Sequence, residues 1–563
     1  MKSDPRTEIY HPIAWSDCHT RGLLSHRLQR NFDRLETEGY RPETVFKTGE
    51  ECHWWPGDIE GRTVLGLVLL AQATGRAPRF LEAILARFPV KMNSQGYFGD
   101  IYPPNTADEQ QLSSQGWVLR ALCEHYLWKQ DAATLELIRR ILRNLALPLQ
   151  GHYYPTYPIR PEDRIHGGGA LGERKIVEIN GRTFILSSDI GCAFIFMDGV
   201  MQAYSIEPDP QLRQLIEEMV ARFLAIDLEA IKAQTHATLT ALRGLLRWHQ
   251  LTGNQKLLDA VVDRFDLYKS LAMSENYENW NWFGRPTHSE PCAMVDSFQV
   301  ALGLWQATGE KQWLEDAHHI AVNAIGSAQQ QNGGFGLHTC AGAEGSPWLE
   351  LNCPEAYWCC TMRGSEGLAR IAQRAWFIGE HTATLAMPGE NRAVLRFKGG
   401  DITIDQQSAY PLKGGGRLKL DAVTVSTPIT LRFFAPSFTT GHSILINGQP
   451  VEIEACDGFI HLTRSWAAGD VIQWNFALKA YWGHPVNRFT REGLRSLRYG
   501  PMVLGVAGDG TASVALPNDA PERLESFADG TFACGNIALS PVHHPMDASW
   551  IVAEKQGAMQ VLF

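Results

Sequence analysis

The chain has 563 residues and a formal net charge of −10, and 44% of its residues are hydrophobic while 20% are charged. This composition is typical of a packed globular protein rather than a disordered one. The acidic balance, without any Lys/Arg run, argues against nucleic acid or an anionic membrane as the main partner. No apolar stretch approaches the ~18–20 residues of a membrane span, and the start, MKSDPRTEIYHP, lacks the apolar segment of a signal peptide. We therefore predict a soluble, cytoplasmic protein with at least two domains, since one core rarely exceeds ~250–300 residues.

From about residue 20 to 375 the hydrophobic pattern has the period of helices. The segments LLAQATGRAPRFLEAI, LRWHQLTGNQKLLDAV and LGLWQATGEKQWLEDA each read as helix, Thr-Gly, helix, with Gly75, Gly253 and Gly309 at a helix C-terminus. With further polar breaks between them, they indicate helical hairpins of ~50–60 residues, of which about six would fill the region. We predict an α/α barrel, with an open helical solenoid as the alternative, because a period alone does not say whether a ring closes.

One of the stretches between successive helix breaks is longer than the others. It contains RIHGGGALGERKIVEINGRTFILSS at residues 164–188, which is rich in glycine first and strand-like afterwards. We predict a loop or β-hairpin inserted over one end of the barrel.

After about residue 376 the hydrophobic period changes to two. Runs such as AVLRF, DITID, RLKLDAVTV and ITLRFFA are typical of short strands, and SILINGQPVEIEA contains the Asn447-Gly448 pair of a tight hairpin turn. Many short strands with turn signals predict a β-sandwich. The fold class is therefore predicted as multidomain α + β, with a catalytic α/α barrel over residues 1–375 and a jelly-roll-like β-sandwich domain over 376–563.

The chain contains eleven cysteines, and those that cluster are candidates for metal ligands or nucleophiles if the thiols are reduced. Cys359 and Cys360 are adjacent, and Glu290 lies two residues before Cys292. Each pattern alone is weak evidence, but one carboxylate and three thiolates together make a ligand set that tetrahedral zinc prefers. The alternative is four unrelated residues, with the cysteines acting as small core side chains.

Carboxylates among aromatic side chains precede this acidic pair. The segment SENYENWNWFGRPTHSEPC carries Glu275 and Glu278 close to Trp280, Trp282 and Phe283. Such a combination suits a sugar pocket, and glycoside cleavage needs carboxylates. The alternative is a loop at a helix end with solvated acids.

Six further segments stand in an order and spacing that resemble one known family. They are SEPCAMVDSFQVALGLWQATGEKQWLEDAHHIAVNAI, WCCTMRGSEGLARI, THATLTALRGLLRWHQLTGNQKLL, INGQPVEI, LTRSWAAGDVIQW and LRYGPMVLGV. The first three resemble the Glu-Thr-Cys segment, the Cys-Cys-Pro-Pro-Asn segment and the Gly-His-Ala helix of the β-L-arabinofuranosidase family, glycoside hydrolase family 127 (GH127). The last three resemble strands of that family's β-sandwich, and the agreement runs from about residue 54 to 505.

The resemblance implies an (α/α)₆ barrel followed by a β-sandwich, and a retaining hydrolase whose nucleophile is a zinc-bound cysteine. Carried over residue by residue, Cys359 matches the nucleophile, Glu275 the general acid/base and His236 a sugar-contacting histidine. The Zn²⁺ ligands implied by the family are Glu290, Cys292, Cys359 and Cys360. Zinc would keep a cysteine as thiolate at neutral pH, while Glu275 would protonate the leaving oxygen and later deprotonate the attacking water.

The sequence departs from the family at two sugar-contacting positions. One family histidine aligns with Gln110, and another would fall near Asp189, where SSDIGCAF has none. Because the metal and acid/base positions are retained while sugar contacts change, we predict the family's reaction on a β-L-arabinofuranoside or, more consistently with the departures, on a related glycoside. An exposed helix residue is the alternative interpretation of Gln110.

The pocket edge and the mode of action are predicted from the same resemblance. Trp55 and Asp58, in the segment Trp54-Trp55-Pro-Gly-Asp58, resemble an edge of the family's pocket, although a structural role for both tryptophans is an equal alternative. Exo action is predicted because the insertion would close the barrel mouth. Carbohydrate is the predicted partner, and a homodimer is compatible with the sequence.

Two other classes of function stay open. Polysaccharide lyases also occur as α/α barrels with β-sandwiches, and Tyr97, Tyr153 and Arg160 are candidates for a lyase base and its cationic partner. A non-catalytic sugar-binding protein is the third class, with Trp54, Trp55 and Trp282 as stacking platforms.

Overall fold

The computed structural model describes residues 10–46, 55–164, 173–286, 288–336, 342, 346–350, 354–453, 455–542 and 557–563. Trp54 and residues 165–172 of the predicted insertion lie outside these ranges. Helices dominate up to Gln373 and strands dominate after it, which confirms the predicted mixed α and β class. In the described part of the chain, no helix combines the length and apolar character needed to cross a bilayer.

Six long helices form a closed ring. The helices in chain order are α1 (Gly22–Leu35), α2 (Asp58–Thr74), α3 (Leu81–Leu85), α4 (Phe88–Lys91), α5 (Glu109–Lys129), α6 (Ala132–Ile141), α7 (Tyr153–Thr156), α8 (Ile195–Ile206), α9 (Pro210–Leu224), α10 (Thr235–Thr252), α11 (Gln255–Leu271), α12 (Pro291–Thr308), α13 (Lys311–His319), α14 (Gly326–Ala328) and α15 (Cys360–Gln373). Helices α2, α5, α8, α10, α12 and α15 pack against one another in that order, and α15 packs back against α2. Helices α1, α6, α9, α11 and α13 pack outside them. This closure is what separates a ring from an open solenoid.

Burial and glycine explain why these helices divide into an inner and an outer layer. The inner helices are buried on nearly every side, whereas an outer helix such as α9 buries one face. Glycine allows close approach between inner helices: a Cβ on Gly61 would lie 2.7 Å from the backbone nitrogen of Val118, and one on Gly199 would lie 2.6 Å from the carbonyl oxygen of Gly116. A larger side chain at either position would push α5 away from its neighbours.

The predicted insertion is a β-hairpin at the start of the inner ring. Strand β3 (Thr106–Asp108) leads directly into α5, and β4 (Arg174–Ile179) pairs antiparallel with β5 (Arg182–Ser187). Strand β5 also pairs parallel with β3. The hairpin therefore lies beside the N-terminus of α5, as predicted for an insertion at one end of the helices.

The remaining strands form three sheets. They are β1 (His11–Pro12), β2 (Cys18–Thr20), β6 (Trp348–Glu350), β7 (Trp376–Ile378), β8 (Thr382–Leu385), β9 (Asn391–Phe397), β10 (Gly400–Ser408), β11 (Gly415–Val423), β12 (Ile429–Phe434), β13 (Thr439–Ile446), β14 (Gln449–Pro450), β15 (Ala455–Cys456), β16 (Phe459–Arg464), β17 (Val471–Leu478), β18 (Ala480–Gly483), β19 (Ser496–Tyr499), β20 (Met502–Gly508), β21 (Leu524–Ser526), β22 (Phe532–Cys534), β23 (Ile537–Pro541) and β24 (Ala558–Gln560). The sheet orders are β1-β7-β8-β12-β16-β15, β14-β13-β17-β11-β10-β9-β2 and β18-β19-β20-β23-β22-β21, with β24 on β20 and β6 on β24.

The first two of these sheets share one hydrophobic core. Leu431 and Ile460 of the first sheet lie in the same buried cluster as Ile404 and Ile472 of the second. The first strands of the chain belong here as well, because β1 pairs with β7 and β2 pairs with β9. The domain boundary at residue 375 stays a prediction, and these two strands cross it.

Two kinds of turn predicted from the sequence are confirmed. Gly75, Gly253 and Gly309 follow their helices with φ of 70°, 68° and 72°, the left-handed conformation of a helix C-cap. Asn447 and Gly448, with φ of 52° and 78°, join β13 to β14 in a two-residue hairpin turn.

Candidate active site

Most of the predicted site residues lie at the start of an inner helix. Glu290 and Cys359 immediately precede α12 and α15, and Cys292 and Cys360 lie in the first turns of these helices. The other inner helices supply Asp58, Gln110 and His236 from their first turns. The first N–H groups of a helix lack intrahelical partners and give this end a partial positive charge, which stabilises carboxylates and thiolates.

Glu290 and the three cysteines form a compact cluster. One ligand atom from each of the four residues lies within 4.8 Å of the others. The Sγ atom of Cys292 lies 3.1 Å from that of Cys359 and 3.7 Å from that of Cys360, and Cys359 Sγ lies 3.7 Å from Glu290 Oε1. The second carboxylate oxygen of Glu290, Oε2, is buried without a hydrogen-bond partner. Such a set of free thiols and one carboxylate could hold a metal ion.

Arg62 is the cation next to this cluster. Its guanidinium donates to Cys292 Sγ at 3.4 Å and pairs with Asp58 at 2.9 Å. The same guanidinium lies over the Trp117 ring, 4.4 Å from the ring centroid. Arg62 therefore places one fixed positive charge beside several acidic groups.

His236 joins the cluster to the interior of the ring. Its Nδ1 lies 3.3 Å from Glu290 Oε1 and its Nε2 lies 3.3 Å from Asp296 Oδ2. The imidazole stacks on Trp117 at 5.6 Å, which fixes its orientation. Burial acts to raise the pKa of Asp296, but nearby arginines, chiefly Arg363, lower it below its usual range. Asp296 is therefore an anion that lies close to Nε2 of His236, although this nitrogen forms no hydrogen bond with the described residues.

The three thiols differ in acidity. Hydrogen bonds from the Cys292 and Cys360 thiols, and then the positive charge of Arg62, hold the pKa of Cys359 well below its usual range against the opposing effect of burial. Burial raises the pKa of both Cys292 and Cys360. Without a metal, Cys359 is therefore the thiol that ionises first, and it is the position predicted as nucleophile.

Gln110 and Asp189 meet at the hydroxyl of Ser187. Gln110 Nε2 and the backbone N–H of Asp189 each donate to Ser187 Oγ at 3.1 Å. Gln110 is fully buried, so its interpretation as an exposed helix residue is wrong. Burial, and then the negative charges of Glu290 and Cys359, raise the pKa of Asp189 to about 8. The Oδ1 atom of Asp189 is buried without a hydrogen-bond partner.

Glu275 is held by a segment from the C-terminal part of the chain. Its carboxylate accepts hydrogen bonds from the backbone N–H groups of Val486 (3.1 Å) and Asn487 (3.0 Å) and from the Thr490 hydroxyl (2.7 Å). Among the contacts of the described residues, none joins Glu275 to Cys359. The role of Glu275 as acid/base stays a prediction.

Glu278 has different neighbours from Glu275. It is fully buried and accepts a hydrogen bond from the Ser327 hydroxyl at 2.9 Å. A helical conformation would bring Glu275 and Glu278 together, but the segment is not helical, and Tyr277 between them has φ of 65°. The two carboxylates are therefore anchored separately.

Trp55 and Trp282, the predicted stacking platforms, lie in different surroundings. Trp55 is half-buried beside the start of α2, where its carbonyl oxygen accepts from the Asp58 N–H at 3.1 Å. Trp282 is buried, and its indole Nε1 lacks a hydrogen-bond partner. Sugar stacking on either ring stays a prediction.

The sequence-based predictions do not include a functional role for three residues of this site: Arg62, Asp189 and Asp296. Arg62 follows Asp58 by four residues at a helix start, a spacing that signals an ion pair. Asp189 and Asp296 are single acids within apolar runs, ILSSDIGCAFIF and CAMVDSFQVAL. Buried acids of this kind concentrate at functional sites, so the signal was present in the sequence.

The comparisons with known proteins confirm the resemblance to GH127. A family model described as the middle domain of GH127 β-L-arabinofuranosidases matches residues 387–478. Among curated proteins no match is found.

Several solved structures have a similar fold over nearly the whole chain. One, described as a glycoside hydrolase, has a TM-score of 0.70 at 14% identity and covers 100% of this chain and 98% of its own. A GH127 β-arabinofuranosidase has a TM-score of 0.72 at 13% identity, with the same coverage of 100% and 98%. A GH127 β-L-arabinofuranosidase from Geobacillus stearothermophilus T6 has a TM-score of 0.66 at 14% identity and covers 96% of this chain and 93% of its own. At these identities the likeness establishes the fold.

Proposed function

We propose that the protein is a retaining, exo-acting glycoside hydrolase with Cys359 as nucleophile and Glu275 as general acid/base. The observation that carries the proposal is the meeting of Glu290, Cys292, Cys359 and Cys360 within 4.8 Å at the start of two inner helices. The GH127 middle-domain match and the GH127 structures support the same reaction class.

We assign the catalytic function to residues 1–375, with the six inner helices as an (α/α)₆ barrel. Residues 376–563 are assigned to a jelly-roll-like β-sandwich behind the barrel. The shared core of two sheets supports this assignment, and the contact of Glu275 with residues 486–490 gives the second region a part in holding the site.

Zn²⁺ is the metal that fits the cluster best. Two thiolates on one tetrahedral zinc are about 3.8 Å apart at the usual Zn–S distance of ~2.3 Å, and the sulfur separations from Cys292 are 3.1 and 3.7 Å. Zinc bound there would keep the cysteines as thiolates at neutral pH. The buried Oε2 of Glu290, which lacks a partner, and the starts of two helices suit a charged ligand set.

The chain's own residues account for both displacement steps. The Cys359 thiolate attacks the anomeric carbon, the carbon–oxygen bond to the leaving group breaks, and Glu275 gives its proton to the departing oxygen. Glu275 then takes a proton from water, whose oxygen attacks the same carbon and breaks the carbon–sulfur bond. Two inversions at one carbon give retention, and Cys359 returns to its thiolate form.

Arg62 and His236 orient the nucleophile and its neighbours in this scheme. Arg62 holds Cys292 through its 3.4 Å contact, and His236 holds Glu290 at 3.3 Å while Asp296 lies close to the other ring nitrogen. His236 is also proposed to contact the sugar, as the family resemblance implies.

The substrate is proposed to be a β-L-arabinofuranoside or, with more support from the site, a related glycoside. Gln110 stands where one family histidine aligns, and the region of Asp189 lacks the other; Gln110 and Asp189 are both buried around Ser187. Asp189 Oδ1 and Asp58 Oδ1 lack hydrogen-bond partners, so a sugar hydroxyl would satisfy them. Trp55 is proposed as part of the pocket edge.

The lyase alternative has less support from the candidate residues. Burial raises the pKa of Tyr153 well above its usual value, which makes it a poor base at neutral pH. Arg160 is exposed and pairs with Asp163 at 2.7 Å, so it is already neutralised. No observation favours the lyase over the hydrolase.

A screen of nitrophenyl furanosides and pyranosides of both series tests the proposal, with zinc measured on the same sample. We expect hydrolysis with retention of configuration and about one zinc per chain. Incubation with uronate-containing polysaccharides tests the lyase alternative separately: an unsaturated sugar product, whose new carbon–carbon double bond absorbs in the ultraviolet, would identify a lyase. Binding without turnover, unchanged by Glu275→Gln, would identify a sugar-binding protein.

A further inference from the structure

A cavity opens at the end of the ring opposite the candidate active site. It has a volume of about 370 Å³, and most of its lining residues come from the C-terminal halves of the inner helices, whereas the active-site residues come from the first turns of these helices. Six glutamines and five arginines line the cavity, and Glu124 is the single acid among the described lining residues. The arginines are Arg120, Arg243, Arg247, Arg370 and Arg374.

Positive charge exceeds negative charge around this cavity. Asp198 pairs with Arg120 at 3.0 Å, with Arg243 at 3.2 Å and with Arg247 at 3.2 Å. Three other carboxylates complete this network of arginines and acids. Glu366 contacts Arg120, Arg243 and Arg363. Asp296 contacts Arg243 and Arg363, and Glu124 contacts Arg370. Counted with Arg363, five arginines share these four carboxylates, and Arg374 also lines the cavity, so the arginines exceed the carboxylates of the described network by two.

Arg374 is the arginine that this network leaves out. Its Nε and Nη1 atoms are shielded from water without a hydrogen-bond partner, and no carboxylate of the described residues pairs with it. Burial, and then the positive charges of Arg370, Arg243 and Arg247, lower its pKa to about 9. Two buried N–H groups of a partly exposed guanidinium are destabilising when they lack partners, and an anion in the cavity would supply acceptors for them.

A purely structural role explains only part of this arrangement. The C-terminal ends of the inner helices carry partial negative charge, which attracts arginines. Arginines placed for that purpose would donate to the last carbonyl oxygens of the helices, but Nε and Nη1 of Arg374 donate to none. The carboxylates of the network account for the other five arginines, whereas neither these carboxylates nor the helix ends account for Arg374.

We propose that this cavity binds a small oxyanion of the phosphate class, either inorganic phosphate or the phosphoryl group of a phosphomonoester, with Arg374 as its anchoring cation. Phosphate oxygens accept the paired N–H groups of guanidinium in a planar, two-bond geometry. A charge near −2 matches the two uncompensated arginines. The cavity is larger than one phosphate, and its glutamine side chains offer donors and acceptors to the hydroxyl groups of a phosphorylated sugar.

Binding of inorganic phosphate and of glucose 6-phosphate to the full-length, zinc-loaded protein tests the proposal. Calorimetry and thermal unfolding are run at constant ionic strength, with chloride as the reference anion. We expect saturable binding and a rise in melting temperature with the ligand. Arg374→Gln should weaken binding at least tenfold, while Arg523→Gln, which removes an exposed arginine far along the chain, should leave it unchanged.

A second variant keeps the test decisive if Arg374→Gln fails to fold. Gln250→Glu adds a negative charge at an exposed edge of the cavity and should also weaken binding. Glucose 6-phosphate binding more than tenfold tighter than inorganic phosphate would assign the site to a phosphomonoester, and equal or weaker binding would assign it to free phosphate. Absence of saturable binding for both, or full binding by both variants, would overturn the proposal. Neither readout depends on glycoside hydrolysis, so the two proposals fail separately.

Discussion

Replacing Glu275 by glutamine separates a catalytic role from a structural one. The carboxylate receives hydrogen bonds from Val486, Asn487 and Thr490, and Oε1 alone is within reach of all three donors. A glutamine can keep these bonds through its single carbonyl oxygen, so only their charge-assisted part is lost. We expect a loss of stability of about 1–2 kcal/mol.

The effect on turnover should be much larger if Glu275 transfers protons. General acid/base catalysis contributes about 10²–10⁴-fold, so kcat/KM should fall by that factor. The loss should shrink for nitrophenyl and other good leaving groups, which need little protonation. Thermal unfolding and a series of leaving groups of graded pKa measure the two effects independently.

Glu278→Gln is the matched control, because Glu278 is equally buried and accepts a hydrogen bond from Ser327. It should lower stability by a similar amount and leave the dependence on leaving group unchanged. The reasoning is refuted if Glu278→Gln is the more damaging change to turnover. It is also refuted if Glu275→Gln slows all leaving groups equally, since Glu275 would then only anchor residues 486–490.

Three other outcomes are expected. Cys292→Ser should lower the zinc content from about one per chain, which elemental analysis would detect. It should also reduce activity and the melting temperature, the latter measured by calorimetry. Unchanged zinc content and stability would mean that the cluster binds no metal. Gln110→Ala should reduce activity on the best substrate of the glycoside screen by about tenfold or more, because it removes a buried donor to Ser187; a neutral effect, or nitrophenyl β-L-arabinofuranoside as best substrate, would contradict our interpretation of the departures from the family. Burial raises the pKa of Glu60 to about 8 from a usual value near 4.5. Between these two pH values the folded state keeps a proton that the unfolded state has lost. The free energy of unfolding should therefore fall as the pH rises through this window. Glu60→Gln should remove that loss, so the stability of the variant relative to the wild type should increase from pH 5 to pH 8; parallel pH profiles would contradict the shift.

The sequence predicts those parts of the molecule that depend on local chemistry. Gly75, Gly253 and Gly309 end helices because only glycine adopts the left-handed conformation readily, and the Asn447-Gly448 pair sets its hairpin in the same way. The Glu290/Cys292 and Cys359-Cys360 patterns predict a cluster because carboxylate and thiolate side chains are themselves metal ligands, whatever their position in the fold.

Features that depend on distant parts of the chain are not predicted. Strand β1 has two residues and β2 has three, too few for any period, and their partners lie beyond residue 375. The helical period and the family resemblance favour an α/α barrel over an open solenoid, but no local pattern encodes the contact between α15 and α2 that closes the ring. The arginines around the cavity come from different inner helices, and only the three-dimensional arrangement brings them together.

The pairing of the first strands with much later ones bears on how the chain folds during synthesis. Arg21, next to β2, donates to the carbonyl oxygen of Asn391, a partner 370 residues further along the chain. The partner strands of β1 and β2 are synthesised only at residues 376–378 and 391–397, and their two sheets are completed by β16 and β17, which end at Arg464 and Leu478. The carboxylate of Glu275 is held only once residues 486–490 are synthesised. Contacts of such high sequence separation slow folding, because loop closure precedes the gain from each contact. The helical region therefore leaves the ribosome with its first strands unpaired, a state in which open strand edges favour association with other chains.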